Sequence, residues 1–382
     1  MNTAASHCEV IPYKPEFKEE VVELQTHLWS LDRAFNRRYL EWKYDHNPYI
    51  DEPLIYLARC DGRIVGMRGA FGTQWEIGNP ARQFITPFAD DLVILPAYRE
   101  LGLHKQIMNA LFADLGARGY NYLFNLSGGP VTVLSSLAMG WKSAGAMQPV
   151  GLKGNNDIGW SRLREKVNKL PYLWRFRDAK WLHSYCERHP FHLLDRAASR
   201  SGNVLSENIR VEREPRPKVM ADLIASLEYD GRLRQVRDER FFAWRFLNPM
   251  YEYRFLYAIQ DDRLLGYLVL QHNPSELSPR VKIVDWEADT DAIRNSLLRT
   301  VIEHGRFLEL VSWTAGLDKT RCALLDASGF VPVDARLTAR GIPCAMVCKV
   351  ENGQPGAPSK IEGRDPLDFS NWDLRMIYSM HG

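Results

Sequence analysis

Apolar and polar positions along this chain fall into two rhythms, one of strands and one of helices. Leu54 to Ala58 is an apolar run that reads as a strand, Asp61-Gly62-Arg63 makes a polar turn, and Ile64-Val65-Gly66 resumes a strand. About two hundred residues later the order recurs: Leu256 to Ile259, a turn at Asp261-Asp262-Arg263, then Leu264-Leu265-Gly266. Each hairpin follows an aromatic, arginine-rich helix that stops at Asn-Pro. The first runs from Phe35 through Trp42 to Asn47-Pro48, the second from Phe241 through Trp244 to Asn248-Pro249. Proline excludes helix from the residue before it, so these are helix ends. Helix, stop, strand, turn and strand in one order, twice, predict a duplicated α/β fold with halves near 1–150 and 215–350. Trp42 and Trp244 are expected in its core.

The pattern also locates candidate chemistry. Ala89 to Leu95 reads as a strand, and from Leu103 apolar residues recur at Ile107, Leu111 and Leu115, with Met108 and Phe112 beside them. That is one face of a helix ending at Gly116 or Gly119. Arg99 to His104 is therefore a tight strand-to-helix turn carrying Gly102. The free amides at such a helix start, Leu101 to His104, suit an anion such as pyrophosphate. Asn121 to Leu126 is the next strand, then a Gly-rich turn at Ser127-Gly128-Gly129-Pro130, and a helix from Val131 to Met139 ending at Gly140-Trp141. In the second half the strand Val281 to Trp286 runs into Glu287-Ala288-Asp289-Thr290-Asp291, an acidic turn that repels phosphate.

Composition narrows the class. The 382 residues exceed one ordinary core and fit two domains. A net charge of +2 argues against nucleic acid as a partner. No stretch approaches the roughly 18 unbroken apolar residues of a membrane-spanning helix, and no basic start with an apolar run opens the chain, so a cytoplasmic protein is expected. The cysteines at 8, 60, 186, 322, 344 and 348 lack zinc spacing, so no metal is expected and the thiols are read as reduced. Between the halves, 151–214 resembles neither. Its stretch 161–200 holds ten Lys/Arg against four Asp/Glu with Trp174, Phe176, Trp181 and Tyr185 interleaved. It reads as a basic helical connector, with contact to a peripheral membrane surface or an acyl-carrier protein as the sharper alternative. The tail 351–382 reads as loose, with a final docking strand around Phe369 to Tyr378.

The run Ile94-Leu95-Pro96-Ala97-Tyr98-Arg99-Glu100-Leu101-Gly102-Leu103-His104 resembles the acetyl-CoA motif of the GCN5-related N-acetyltransferase (GNAT) superfamily: a strand, V-x-P-x-[YF]-R, then x-x-G-x-[GA] opening a helix. Ile94, Pro96, Tyr98, Arg99 and Gly102 stand in register, while His104 replaces the final small residue. The resemblance covers both halves and implies two tandem GNAT-like domains, each a mixed, mostly antiparallel sheet flanked by helices. It implies acetyl-CoA or another acyl-CoA held by Ile94, Leu95, Arg99, Leu101, Gly102, Leu103 and His104. The family's usual asparagine and tyrosine around the Gly140-Trp141 helix are Gly129 and Ser136 here, so the tyrosine that protonates the leaving thiolate is missing. In the second half those positions are Asp318 and Leu325, and the Arg-x-x-Gly turn is absent, which implies a domain that keeps the fold without the cofactor.

Acyl transfer to an amine needs a neutral amine, a polarised thioester and a stabilised thiolate. Asp90 and Asp91 lie on the strand beside the expected thioester. Alternation along a strand sends their side chains to opposite faces, so one of them is expected to face the cleft as base. Ser136 is the candidate to assist the thiolate. The expected activity is acyl-CoA-dependent N-acylation, acetyl foremost, of a small-molecule amine such as an amino sugar in polysaccharide biosynthesis. The alternatives are an aminoacyl or acyl-carrier-dependent transferase of the peptidoglycan-enzyme type and a non-catalytic binding protein on the same fold.

Overall fold

The computed structural model describes residues 7–154, 190–206, 208–275, 280–305, 307, 309–333 and 342–380. Most of the basic stretch 161–200 lies outside them. The strands of the first half are β1 (Cys8–Pro12), β2 (Leu54–Cys60), β3 (Arg63–Ile77), β4 (Arg82–Ile94), β5 (Tyr122–Gly128), β6 (Lys142–Ala146) and β7 (Pro149–Lys153). There follow β8 (Val204–Ser206), β9 (Ile209–Glu212), β10 (Arg234–Gln235), β11 (Glu252–Gln260), β12 (Arg263–His272), β13 (Arg280–Ala288), β14 (Glu309–Trp313), β15 (Val331–Pro332), β16 (Cys344–Glu351) and β17 (Gln354–Gly356).

The duplication is visible residue by residue. The turns predicted at Asp61-Gly62 and Asp261-Asp262 both have two successive residues at positive φ, as tight hairpins require. In β2–β3 the register slips between Ala58, opposite Gly66, and Arg59, opposite Ile64. In β11–β12 it slips between Ala258, opposite Gly266, and Ile259, opposite Leu264. An identical irregularity at an identical place marks two copies of one unit.

Two mostly antiparallel sheets result. One runs β1-β2-β3-β4-β5-β16-β17, with β10 against β3 and β6 against β16; the other runs β15-β7-β14-β13-β12-β11-β9-β8. In each, one adjacent pair is parallel, β4 with β5 and β13 with β14. The sheets exchange strands: β7 pairs with β14 of the second half, and β16 pairs with β5 of the first. The boundaries read at 150 and 350 are therefore crossed by the ladders, because an edge strand satisfies its backbone wherever a free edge stands.

Helices cover both faces of the first sheet. Helix Leu103–Ala117 buries its predicted stripe, Leu103, Ile107, Met108, Leu111, Phe112 and Leu115, against one face. Helices Lys18–Leu24 and Arg33–Leu40 cover the other, where a shared core joins the halves. At its centre Trp42 and Trp244 stack with centroids 5.0 Å apart and planes 12° apart. Each indole N–H donates to the other's backbone carbonyl, at 2.7 and 2.9 Å. Two buried donors and two carbonyls thus satisfy one another across the duplication.

Two further expectations are corrected. Cys8 and Cys60 form a disulfide between facing residues of β1 and β2 instead of remaining reduced, because the antiparallel register brings their Cα atoms to 4.1 Å. The C-terminal stretch is packed, with Trp372, Ile377 and Tyr378 buried, but it forms single 3₁₀ turns at Phe369–Asn371 and Met376–Tyr378 and not a strand. Among the described residues, no helix is long and apolar enough to cross a membrane.

Trp42→Ala and Trp244→Ala should each cost about 3–5 kcal/mol, the range for emptying a buried aromatic site. Because each substitution removes the stacked ring and leaves the other tryptophan's backbone carbonyl without its donor, a double-mutant cycle by urea denaturation should show a coupling of about 0.5–3 kcal/mol. Strict additivity would mean that the stacked pair does not act as a unit.

Candidate active site

The first helix pair carries a local anomaly. Asp32 caps helix Arg33–Leu40 by accepting the amides of Ala34 and Phe35, and the chain then widens into a π-helical turn, Glu41–Asp45. From Trp42 to Asn47 is five steps, whereas from Trp244 to Asn248 is four. In both copies the asparagine side chain ends the helix, Asn47 accepting from Tyr49 and Ile50, Asn248 from Met250. The first copy thus holds one extra residue between the same two landmarks, and the π turn absorbs it, as such turns do at functional sites.

That turn aims Lys43 into the protein. Its side chain is fully buried, and Nζ donates to Asp90 Oδ2 at 2.7 Å, to Asp91 Oδ1 at 3.0 Å and to Tyr39 Oη at 3.3 Å. Tyr44 Oη donates to Asp91 Oδ2 at 2.7 Å. The rings of Trp29, Tyr39, Tyr44 and Phe71 surround the ammonium at 5.0–5.7 Å, in reach of cation–π attraction. Close approach depends on glycine: a Cβ at Gly69 would fall 1.9 Å from Tyr44 Oη, and one at Gly72 would fall 2.6 Å from Asn47 Oδ1.

Both aspartates face Lys43, against the expectation of opposite faces. The register of β3 and β4 passes from Met67 opposite Val93 to Gly69 opposite Asp90, so two residues of β4 oppose Arg68 alone. Asp91 sits in this bulge at φ +53°, and the bulge turns its side chain to the same side as that of Asp90. Strict alternation fails where one residue is inserted.

Burial pushes the Asp91 carboxyl above the usual carboxylate range, and the neighbouring Asp90 charge adds to this while Lys43 pulls it back. Burial and the same aspartates hold the Tyr39 and Tyr44 phenols protonated. Arg68, 3% exposed, lies near Asp90, Tyr44 and Asp91, and its Nε has no hydrogen-bond partner. Sequence reading passed over Lys43, Tyr44 and Arg68. The available signal was a lysine between Trp42 and Tyr44 in a helix otherwise assigned to the core.

The predicted turn forms beside this cluster. Asp90 lies on β4 shortly past Phe88, which faces Phe124 in the one registered step of the parallel β4/β5 ladder. Ile94 ends the strand and Leu95 follows it, both half-buried, and Arg99 Nε donates to the Ile94 carbonyl at 3.2 Å, bracing the turn. Leu101 is exposed, Gly102 is left-handed at φ +68°, and Leu103 enters the core. No side chain caps the helix that starts there. His104 lies near Arg68, and burial together with that arginine lowers its pKa from 6.5 to about 4, so it is neutral at pH 7. Ser136 is buried on helix Pro130–Ala138, its carbonyl accepting from Met139 and Trp141. The bonds that gather the aspartates do not involve it.

The second half fills the matching place differently. Asp285 on β13 accepts from Arg237 at 2.7 Å and from Tyr267 at 2.8 Å. Glu287 accepts from Arg237 at 2.9 Å, from Arg375 at 2.7 Å and from Arg321. Burial raises the Glu287 carboxyl, but Arg375, Arg321 and Arg237 together hold it well below the usual range. Asp318, expected at a site position, caps helix Lys319–Ala327, and Leu325 is core. Among the described residues no group of three or more His, Cys, Asp or Glu side chains is placed to hold a metal.

Comparison of this geometry with known structures identifies the fold. No model of a protein family matches the sequence, and no protein of curated function does. A probable N-acyltransferase from Enterococcus faecalis V583 superposes with a TM-score of 0.58 at 12% identity, covering 91% of this chain and 73% of its own. A GCN5-related N-acetyltransferase from Anabaena variabilis gives 0.55 at 10% identity, over 90% and 73%. N-myristoyltransferase from Saccharomyces cerevisiae, solved with myristoyl-CoA, gives 0.53 at 11% identity, over 91% and 83%. The chain therefore has the GNAT fold in tandem, as the sequence motif implied.

His104 gives a pH test of the turn. Its folded pKa lies below its unfolded one, so only the unfolded chain takes up this proton, and stability falls as pH drops from about 6.5 toward 4. His104→Gln should flatten the unfolding free energy across that window, measured by urea titration at several pH values. An unchanged slope would contradict the assignment.

Proposed function

We propose that the protein transfers an acyl group, acetyl foremost, from acyl-CoA to the amino group of a small molecule, with the acyl-CoA held in the first half alone. One observation carries this reading: a helix of fifteen residues opened by a left-handed glycine, uncapped by any side chain, beside a parallel strand pair and a buried carboxylate cluster. The amides of Leu101, Gly102, Leu103 and His104 would take the pyrophosphate, favoured by the helix dipole. His104, being neutral, would contribute a hydrogen bond and not a charge. Ile94 and Leu95 would flank the pantetheine arm, and Arg99 would hold the turn in shape.

In the second half, Arg237, Arg321 and Arg375 already neutralise Asp285 and Glu287 where that half's strands part, which leaves an acyl-CoA no matching turn there. Of the two aspartates in the first half, Asp90 is the base this reading favours, since its side chain keeps 10% exposure and that of Asp91 none. Asp90 would take a proton from the acceptor amine, whose nitrogen attacks the thioester carbon. The C–S bond breaks, and the departing thiolate is protonated from water, with the Ser136 hydroxyl as a minor aid in this reading. Lys43 and Arg68 balance the two carboxylates, so the cluster holds no spare negative charge for a strongly basic ammonium. An amine of lowered basicity, such as that of an amino sugar, suits it better. A cytoplasmic location goes with use of acyl-CoA; there the Cys8–Cys60 pair would meet a reducing pool.

Calorimetry tests the cofactor assignment. Gly102→Asp should abolish acetyl-CoA binding, whereas Gly102→Asn, which tolerates the left-handed backbone without adding charge, should retain it. Equal affinity in both variants, or a second equal site, would overturn it. In steady-state release of free CoA with an amino-sugar acceptor, Asp90→Asn should lower kcat by about 10²–10⁴ and Ser136→Ala by less. Full activity of Asp90→Asn would assign the base elsewhere.

A further inference from the structure

Proposed acyl transfer uses Asp90 and leaves Lys43 unexplained. A fully buried lysine is expensive to desolvate, and this one sits in a helix whose counterpart turn in the second half manages with one residue fewer. Three independent features converge on it. The π turn directs the side chain inward, the β4 bulge rotates Asp91 onto the same face as Asp90, and the missing side chains of Gly69 and Gly72 let the two elements close to hydrogen-bond distance. The second copy keeps a bulge between β12 and β13 but has no π turn after Trp244, and Val269 and His272 stand where the first has Gly69 and Gly72. Arg245, the residue after Trp244, is turned to the C-terminal segment, donating to the carbonyls of Ile377 and Ser379 and to Tyr253 Oη.

We propose that Lys43 is the positioning residue of the transfer site: its ammonium clamps both aspartates, keeping Asp91 out of the reaction and presenting Asp90 to the acceptor. This rests on the acyl-transfer reading above. The charge logic is direct. Two carboxylates bridged by one lysine can both be ionised in a buried site, whereas two carboxylates left without it would have to share a proton. The other groups facing the cluster do not replace the ammonium. Tyr39 and Tyr44 are held protonated, His104 is neutral at pH 7, and Arg68 acts on the aspartates through its field, without the hydrogen bonds by which Lys43 joins them. Arg245 reaches this cluster only through its field on Tyr39.

The test compares wild type, Lys43→Met and the double variant Lys43→Met/Asp91→Asn, which removes one charge of each sign. Unfolding by urea between pH 5 and 8 is read first and needs no substrate. In Lys43→Met the paired carboxyls have folded pKa values raised above their unfolded ones, so the deficit against wild type should widen as pH rises. The double variant should recover most of it. The second readout is acetyl transfer from acetyl-CoA to hydroxylamine, a small neutral nucleophile at pH 7. Lys43→Met should lose at least tenfold in kcat and move the acid limb of the pH profile upward by a unit or more, with KM for acetyl-CoA within about twofold. The double variant should return the limb toward that of wild type. A pH-independent stability deficit, or a double variant no better than the single one, overturns the clamp. A wild type that binds no acetyl-CoA while the stability series behaves as expected overturns the acyl-transfer reading instead, and with it the positioning role.

Discussion

The reciprocal contact of Trp42 and Trp244 is the constraint on which the molecule is built. Each ring lies over the other, and each indole N–H finds its only partner type, a carbonyl, on the opposing strand of chain. This exchange joins equivalent residues of two similar helices and ties the two halves together at that point. The neighbours of these tryptophans inherit that position. Lys43 and Arg245, which follow the tryptophans, take different partners, one a carboxylate pair and one the C-terminal segment.

From this common frame the halves have specialised. In the first, a cation from a helix meets two carboxylates at a strand bulge, next to a helix start that has no cap. In the second, three arginines from separate segments close over Asp285 and Glu287, and the Met376–Tyr378 turn packs beside β13. Ion networks of this kind contribute little net stability when buried, because desolvation offsets the attraction, but they specify one arrangement of chain segments.

Much of this was legible in the sequence because it follows periodicity. The stripe from Leu103 to Leu115, the paired Asp-x-Arg hairpins and the Asn-Pro stops are each a local rule, and the structure keeps each one. What escaped depends on breaks in a rule. Alternation along β4 assigned Asp90 and Asp91 to opposite faces, and an inserted residue opposite Arg68 overrode it. Lys43 was hidden by its aromatic neighbours, since a charged residue flanked by Trp42 and Tyr44 reads as the solvent side of a core helix. The extra step between Trp42 and Asn47 was countable against Trp244 and Asn248, yet its meaning needed the π turn. Pairing of Cys8 with Cys60 likewise required the register of two strands far apart in sequence.

The exchange of β7 and β16 has a consequence for how the chain is made. As the polypeptide leaves the ribosome, β5 has no neighbour on its outer side until residues near 344–351 have been synthesised, more than two hundred positions later. The first sheet, which carries the Lys43–aspartate cluster, therefore waits with an open edge while most of the second half is made. An open edge is an invitation to pair with another chain, and late, distant pairing is slow. The first sheet is thus complete only when the chain is almost finished.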